Sequence, residues 1–116
     1  MSTERMEEFN SERSRLNEIV MSYAGRDLKR LYHIDDAVYK DGALPAKTKE
    51  MLGYVASLVL RCDDCITYHL GKLHEMGTTS EEFEEATVIG YVVGGSITVP
   101  HMRRAFDLWD ELQKAQ

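Results

Sequence analysis

Apolar residues recur along this chain at helical spacing, and the breaks between them separate five or six segments. Residues 4 to about 23 carry Met6, Phe9, Leu16, Ile19 or Val20, and Tyr23 in one register, with Gly25 beyond the end. A second segment, 26 to about 40, carries Leu28, Leu31, Tyr32, Ala37 and Val38 and stops at Asp41-Gly42. Pro45 suits the first turn of a third helix, 45 to 61, because its missing N–H costs nothing there. The apolar stripe of that helix is Met51, Leu52, Val55, Leu58 and Val59.

A break at Cys62 opens a fourth helix that runs to Met76 and is closed by Gly77. Thr78-Thr79-Ser80 with Glu81-Glu82 offers a capping box in two registers, Thr78 with Glu81 or Thr79 with Glu82. The fifth helix follows through Phe83, Ala86, Ile89 and Val93 to Gly94-Gly95. Ser96 to Val99 is rich in β-branched residues, but no other stretch could pair with it as a strand. A last helix from about Pro100 carries Met102, Phe106, Trp109 and Leu112. The pattern predicts an all-α bundle of five to six helices.

Size and charge narrow the picture. The 116 residues fill a single domain, 1–116, with no internal repeat. Such a small chain is only moderately stable alone, so assembly into oligomers would help it. The net charge of −6 argues against a phosphate-binding surface and hence against nucleic acid as a partner. The N-terminal stretch lacks an apolar signal core, and the longest uncharged run, 86 to 100, is too short to span a bilayer. The expectation is a soluble, cytoplasmic protein with no membrane contact.

The chemistry concentrates in residues 49 to 76, KEMLGYVASLVLRCDDCITYHLGKLHEM. Both cysteines lie here, as Cys62-x-x-Cys65, and two cysteines three apart in such a chain point to redox or metal chemistry. On a helical wheel, His69 falls about 40° and Cys62 about 60° from Cys65, at the edge of the buried face marked by Leu73 and Met76. A partly enclosed dithiol beside an imidazole is the arrangement thiolate chemistry needs. Core packing is the plainer use for such cysteines.

A helix N-terminus favours thiolate, but Asp63 and Asp64 in the same turn cancel part of that field. His69, assisted by an acid–base partner, must then supply the activation, and that need gives Glu50 a physical role. Periodicity alone puts Glu50 on the solvated side of its helix with Tyr54, Ser57 and Arg61, although Gly53 and Ser57 leave room there for another helix. Zinc is the other use for these residue types. Cys62, Cys65, His69 and His74 on one helix cannot close a tetrahedron, since His74 points about 110° or more away from His69. No metal or cofactor is expected, and His33, His74 and His101 read as surface or helix-packing residues.

The pattern E-x11-C-x-x-C-x3-H, from Glu50 through Cys62 and Cys65 to His69, resembles the carboxymuconolactone decarboxylase-like superfamily, and more narrowly its AhpD-type alkylhydroperoxidase branch. The flanks DGALPAKTKE and GTTSEEFEEA and the Gly94-Gly95 pair extend the likeness over about residues 28 to 108. The resemblance implies an AhpD-like helical fold, usually trimeric or hexameric, in which the glutamate helix packs on the cysteine helix. It further implies Cys65 as the peroxidatic thiol, Cys62 as the resolving thiol, a Cys62–Cys65 disulfide, and Glu50 with His69 as a proton relay.

The substrate so implied is a hydroperoxide or a partner disulfide, with a lipoyl-bearing or thioredoxin-like thiol protein as reductant. One position departs from the peroxidase branch, which carries a histidine just before the second cysteine where this chain has Asp64. That acid disfavours thiolate and implies slower peroxide turnover than dithiol cycling. Two rival readings follow from the same residues: a decarboxylase-type lyase acting on a small acidic metabolite without the cysteines, and a non-catalytic oligomeric module.

Overall fold

Several helices begin where a side chain accepts a free N–H group or a proline removes one. A computed structural model describes residues 3–115 of the chain. Helix α1 (Glu4–Tyr23) starts where Thr3 Oγ1 accepts the Met6 N–H at 3.0 Å, with Glu4 and Glu7 in its first turn complementing the helix dipole. Helix α2 (Arg26–Ala37) gives way to turns, and α3 (Ala46–Leu60) starts after Pro45, where the Asp41 carboxylate accepts the Ala46 N–H at 2.7 Å. Then come α4 (Asp63–Glu75), α5 (Ser80–Gly94), a 3-10 turn over Ser96–Thr98, and α6 (Val99–Lys114). There is no strand among the described residues.

Of the two capping registers, the chain uses Thr79 with Glu82. Thr79 Oγ1 accepts the Glu82 N–H at 3.1 Å, and the Glu82 carboxylate accepts the Thr79 N–H at 2.9 Å. Lys47 Nζ reaches the same carboxylate at 2.9 Å and ties α3 to the start of α5.

The core lies among α3, α4, α5 and α6 and is built from Tyr54, Leu58, Ile66, Leu70, Leu73, Phe83, Leu108, Trp109 and Leu112. Each such side chain contributes roughly 1.5–3 kcal/mol by leaving water. Helix α1 joins it through Met6, whose methyl occupies the space left by the missing side chain of Gly71. Two polar groups inside are satisfied. Tyr54 donates to Thr87 Oγ1 at 2.6 Å, and Thr87 donates on to the Phe83 carbonyl at 2.8 Å. Burial pushes the Tyr54 phenol up to about 12. Trp109 stacks on Phe83 with ring centroids 4.7 Å apart, while its indole N–H donates to Ser80 Oγ.

The all-α class and helix order agree with the hydrophobic pattern, but the buried face of α3 agrees only in part. Its buried residues are Glu50, Tyr54, Ser57 and Leu58, whereas Leu52 is exposed. Leu58, Met51 and Val55 of the predicted stripe do reach the core, but Glu50, Tyr54 and Ser57, from the side expected in solvent, pack inward as well. Helix α2 buries nothing in this chain, leaving Leu31 and Ile34 exposed, and α5 turns Ile89, Val92 and Val93 outward. No helix among the described residues is long and apolar enough to cross a membrane.

Candidate active site

The site begins at the joint between α3 and α4. Arg61 ends α3 in the left-handed conformation (φ 60°, ψ 42°), the Arg61 N–H bonds back to the Leu58 carbonyl, and the Cys62 N–H bonds to the Ser57 carbonyl. This paired bonding is a Schellman turn with arginine where glycine is usual. The next residue in the turn, Cys62, is at once the N-cap of α4, its sulfur accepting the Cys65 N–H at 3.3 Å. One compact turn therefore fixes both sulfurs at a helix N-terminus, where a reduced thiol is shifted toward thiolate. The two cysteines are joined as a disulfide, with Cα atoms 5.3 Å apart. Cys62 is half-buried and Cys65 exposed.

One turn beyond Cys65, His69 is buried, and its Nδ1 lies 2.6 Å from Oε2 of Glu50 on α3. Glu50 itself is only 3% exposed. A carboxylate carried so far from water requires a partner, and the imidazole is that partner. Since the carboxylate accepts, Nδ1 carries the hydrogen, which leaves Nε2 as the nitrogen able to take or give a second proton. The contact exists because α3 has glycine at position 53. A Cβ built there would lie 2.6 Å from His69 Cε1 and 2.8 Å from Nε2.

Cys65 and His69 both line a cleft of about 1120 Å³ that α1, α2 and the turn after α2 form with α4. Tyr39 and Tyr68, which also line it, hold their rings 5.4 Å from the imidazole. Arg13 covers the Tyr68 ring at 4.1 Å. Burial, and then the nearby Glu50 charge, raise the Tyr39 phenol above its usual value. Tyr39 carried no signal in the sequence, because it meets His69 only through the fold, and Tyr68, although next to His69 in the chain, stands outside the cysteine–histidine spacing.

The structure thus brings Cys62 and Cys65 together, sets His69 against Glu50, and opens Cys65 and His69 to one cleft. One reading of a neighbouring residue is corrected, and another gains a named partner. His101, expected to be a surface or packing residue, places Nδ1 2.8 Å from Asp63 Oδ1, and Arg104 Nε lies 3.1 Å from Asp63 Oδ2. Asp63 therefore does not face the dithiol as a bare charge. Burial pulls its pKa upward, but the bonds and charges of His101 and Arg104 outweigh this and hold it below the ordinary value. His74 packs edge-on against Trp109. No group of three or more histidine, cysteine or acidic residues that could hold a metal ion occurs among the described residues.

Fold and site together define an all-helical protein with a disulfide-forming cysteine pair at a helix start. Residues 28–108 match the model of the carboxymuconolactone decarboxylase family, and the chain belongs to that family. Two crystal structures of a Thermotoga maritima protein superpose closely on it. One has a TM-score of 0.91 at 49% identity, covering 93% of this chain and 95% of that one. The other has a TM-score of 0.88 at 50% identity over 92% and 91%, and describes a family member for which a part in an antioxidative response has been suggested. An uncharacterized protein of Cupriavidus necator is 29% identical over 76 residues, 66% of this chain and 67% of its own. An uncharacterized protein encoded in the cox locus of Paracoccus denitrificans is 29% identical over 89 residues, 71% of this chain and 80% of its own.

Proposed function

We propose that this protein is a dithiol oxidoreductase that reduces hydroperoxides or partner disulfides through Cys65 and Cys62. The observation that carries the reading is the buried 2.6 Å contact of Glu50 with His69, one helical turn from Cys65 on a shared cleft. Glu50 orients the imidazole, and His69 Nε2 accepts the Cys65 proton. The thiolate attacks the terminal oxygen of the hydroperoxide. An S–O bond forms, the O–O bond breaks, and the leaving alkoxide takes the proton from His69 to depart as an alcohol.

Cys62 then gives up its proton and attacks the Cys65 sulfenic sulfur. The S–S bond forms as the S–O bond breaks, and hydroxide leaves with that proton as water. Two thiols and one hydroperoxide become a disulfide, an alcohol and water. A thiol protein, lipoyl-bearing or thioredoxin-like, returns two electrons and two protons by exchange. A partner disulfide would enter at the same sulfur without the sulfenic acid step. A cytoplasmic setting, where such reductants are held reduced, belongs to this proposal, as does assembly into a trimer or hexamer. The large exposed apolar side chains of α2 and α5 support the latter.

The test is intact mass and free-thiol titration of the reduced protein after one equivalent of peroxide. The expected result is loss of two hydrogens and of both thiols in wild type, and a stable single oxygen adduct on Cys62→Ser. Survival of both thiols, or reaction of Cys65→Ser as fast as wild type, would overturn it. A lyase on an acidic metabolite would instead keep its activity with both cysteines changed to serine, and a non-catalytic module would leave the dithiol inert to peroxide and to reductase.

A further inference from the structure

The redox turn is attached to a second helix by a charge cluster that the proposed chemistry does not use. Asp63 is the residue between Cys62 and the rest of α4, and it opens that helix. Both of its carboxylate oxygens are taken by α6: His101 Nδ1 at 2.8 Å on one and Arg104 Nε at 3.1 Å on the other. Arg104 also brings a terminal nitrogen to 3.4 Å from His101 Nδ1, but the shorter contact to a carboxylate decides that Nδ1 carries its hydrogen toward Asp63. The other charged groups of the turn are Asp64, on the cleft side, and Arg61 before Cys62, both exposed. The Glu50–His69 pair and, in the cleft that Cys65 lines, Arg13, Asp35 and Tyr39 stay unchanged in the variants below.

We infer that Asp63, His101 and Arg104 form a positioning cluster that tunes the reactivity of the Cys62–Cys65 dithiol by neutralising the carboxylate that opens the cysteine helix. Asp63 is useful at the helix start, where its charge meets the free N–H groups, but beside two thiols the same charge opposes thiolate formation. Arg104 removes that conflict. It is permanently charged, so the cancellation holds at every pH at which the dithiol works. His101 supplies the second bond and fixes the carboxylate plane. The cluster touches no reacting atom and acts only through the field and placement of the cysteine turn. The inference rests on the dithiol reading for its purpose, but its physical content concerns the acidity of two thiols and needs neither peroxide nor a partner protein.

Opposite substitutions should therefore move the thiols in opposite directions. The chain has only two cysteines, so the pH profile of iodoacetamide alkylation of the fully reduced protein reports this pair alone. Arg104→Gln, which leaves the Asp63 charge uncompensated, should raise the alkylation midpoint by roughly 0.5 pH unit, as expected for one charge several ångströms away. Asp63→Asn, which leaves Arg104 alone, should lower it by a similar amount, and the double variant should return close to wild type. A merely structural tie would make both single variants shift the same way. That outcome, or no shift in either, overturns the inference. Should Arg104→Gln fail to fold, Asp63→Asn decides alone: a midpoint that rises or stays overturns it. The redox reading fails separately, if the reduced wild type leaves peroxide and disulfides untouched while these shifts are found.

Discussion

At Gly53 the absence of one methyl group is what allows α3 and α4 to bring a carboxylate and an imidazole together. A Cβ at that position would stand 2.6 to 3.0 Å from three atoms of the His69 ring, and the ring is buried and held by Glu50 from the same helix. Gly53→Ala should push the imidazole off Glu50, at about 1–3 kcal/mol of stability, as overpacking of a filled interior generally costs. It should also slow thiol oxidation by peroxide by about 10–100-fold, the effect typical of losing a group that orients an active histidine. Thermal melting and stopped-flow oxidation read the two losses separately. A variant of unchanged stability and rate would mean that the Glu50–His69 contact is dispensable. The E-x11-C-x-x-C-x3-H spacing announced these residues, and Gly53 was visible as open space. The burial of Glu50 was not legible, because periodicity counts apolar side chains and a carboxylate hydrogen-bonded to a partner on another helix leaves no mark on that count.

Between elements, the link that the pattern hid is Tyr54 to Thr87, joining α3 to α5 inside the core. The folded protein holds this phenol neutral up to about 12, whereas an unfolded chain ionises it near 10. The contribution is complete below pH 10 and disappears as pH rises through about 12, and over that window it amounts to roughly 2–3 kcal/mol. Denaturant titrations from pH 9 to 12 should show that decline, and Tyr54→Phe should remove it while costing about 1 kcal/mol at neutral pH through the lost bond to Thr87. Helix existence was readable in the sequence because each element has its own stop: Asp41-Gly42, Gly77, the Thr79 cap. Which residues of α3 turn inward was not, because Leu52 and Val59 compete for the core with Tyr54, and the choice is made by α4 packing on Gly53 and by α5 setting Gly90 against Leu58.

For the whole molecule, the exposed apolar side chains are too many for one small chain to leave wet without reason. Leu60, Val92 and Val93 are each more than two-thirds exposed, and Ile89 and Ile97 more than half. Four of these five lie in the uncharged run from 86 to 100, and α2, which buries nothing here, adds a second apolar face. If subunits associate through α5, Val92→Glu should place a charge at the contact and lower the mass seen by light scattering to that of a monomer, with the helical spectrum retained. An unaltered oligomer would move the contact to α2, and a wild-type monomer would end the assembly proposal.

The joint that ends α3 and starts α4 has no spare residue. Cys62 terminates one set of backbone bonds and begins the next, so nothing between Ser57 and Cys65 can absorb a change in length. One inserted or deleted residue there would rotate all of α4 by about 100° relative to α3, carrying His69 away from Glu50 and Cys65 away from the cleft. Substitutions in this segment can be graded in effect. Length changes cannot, and libraries built to diversify the site should vary its letters while keeping its count.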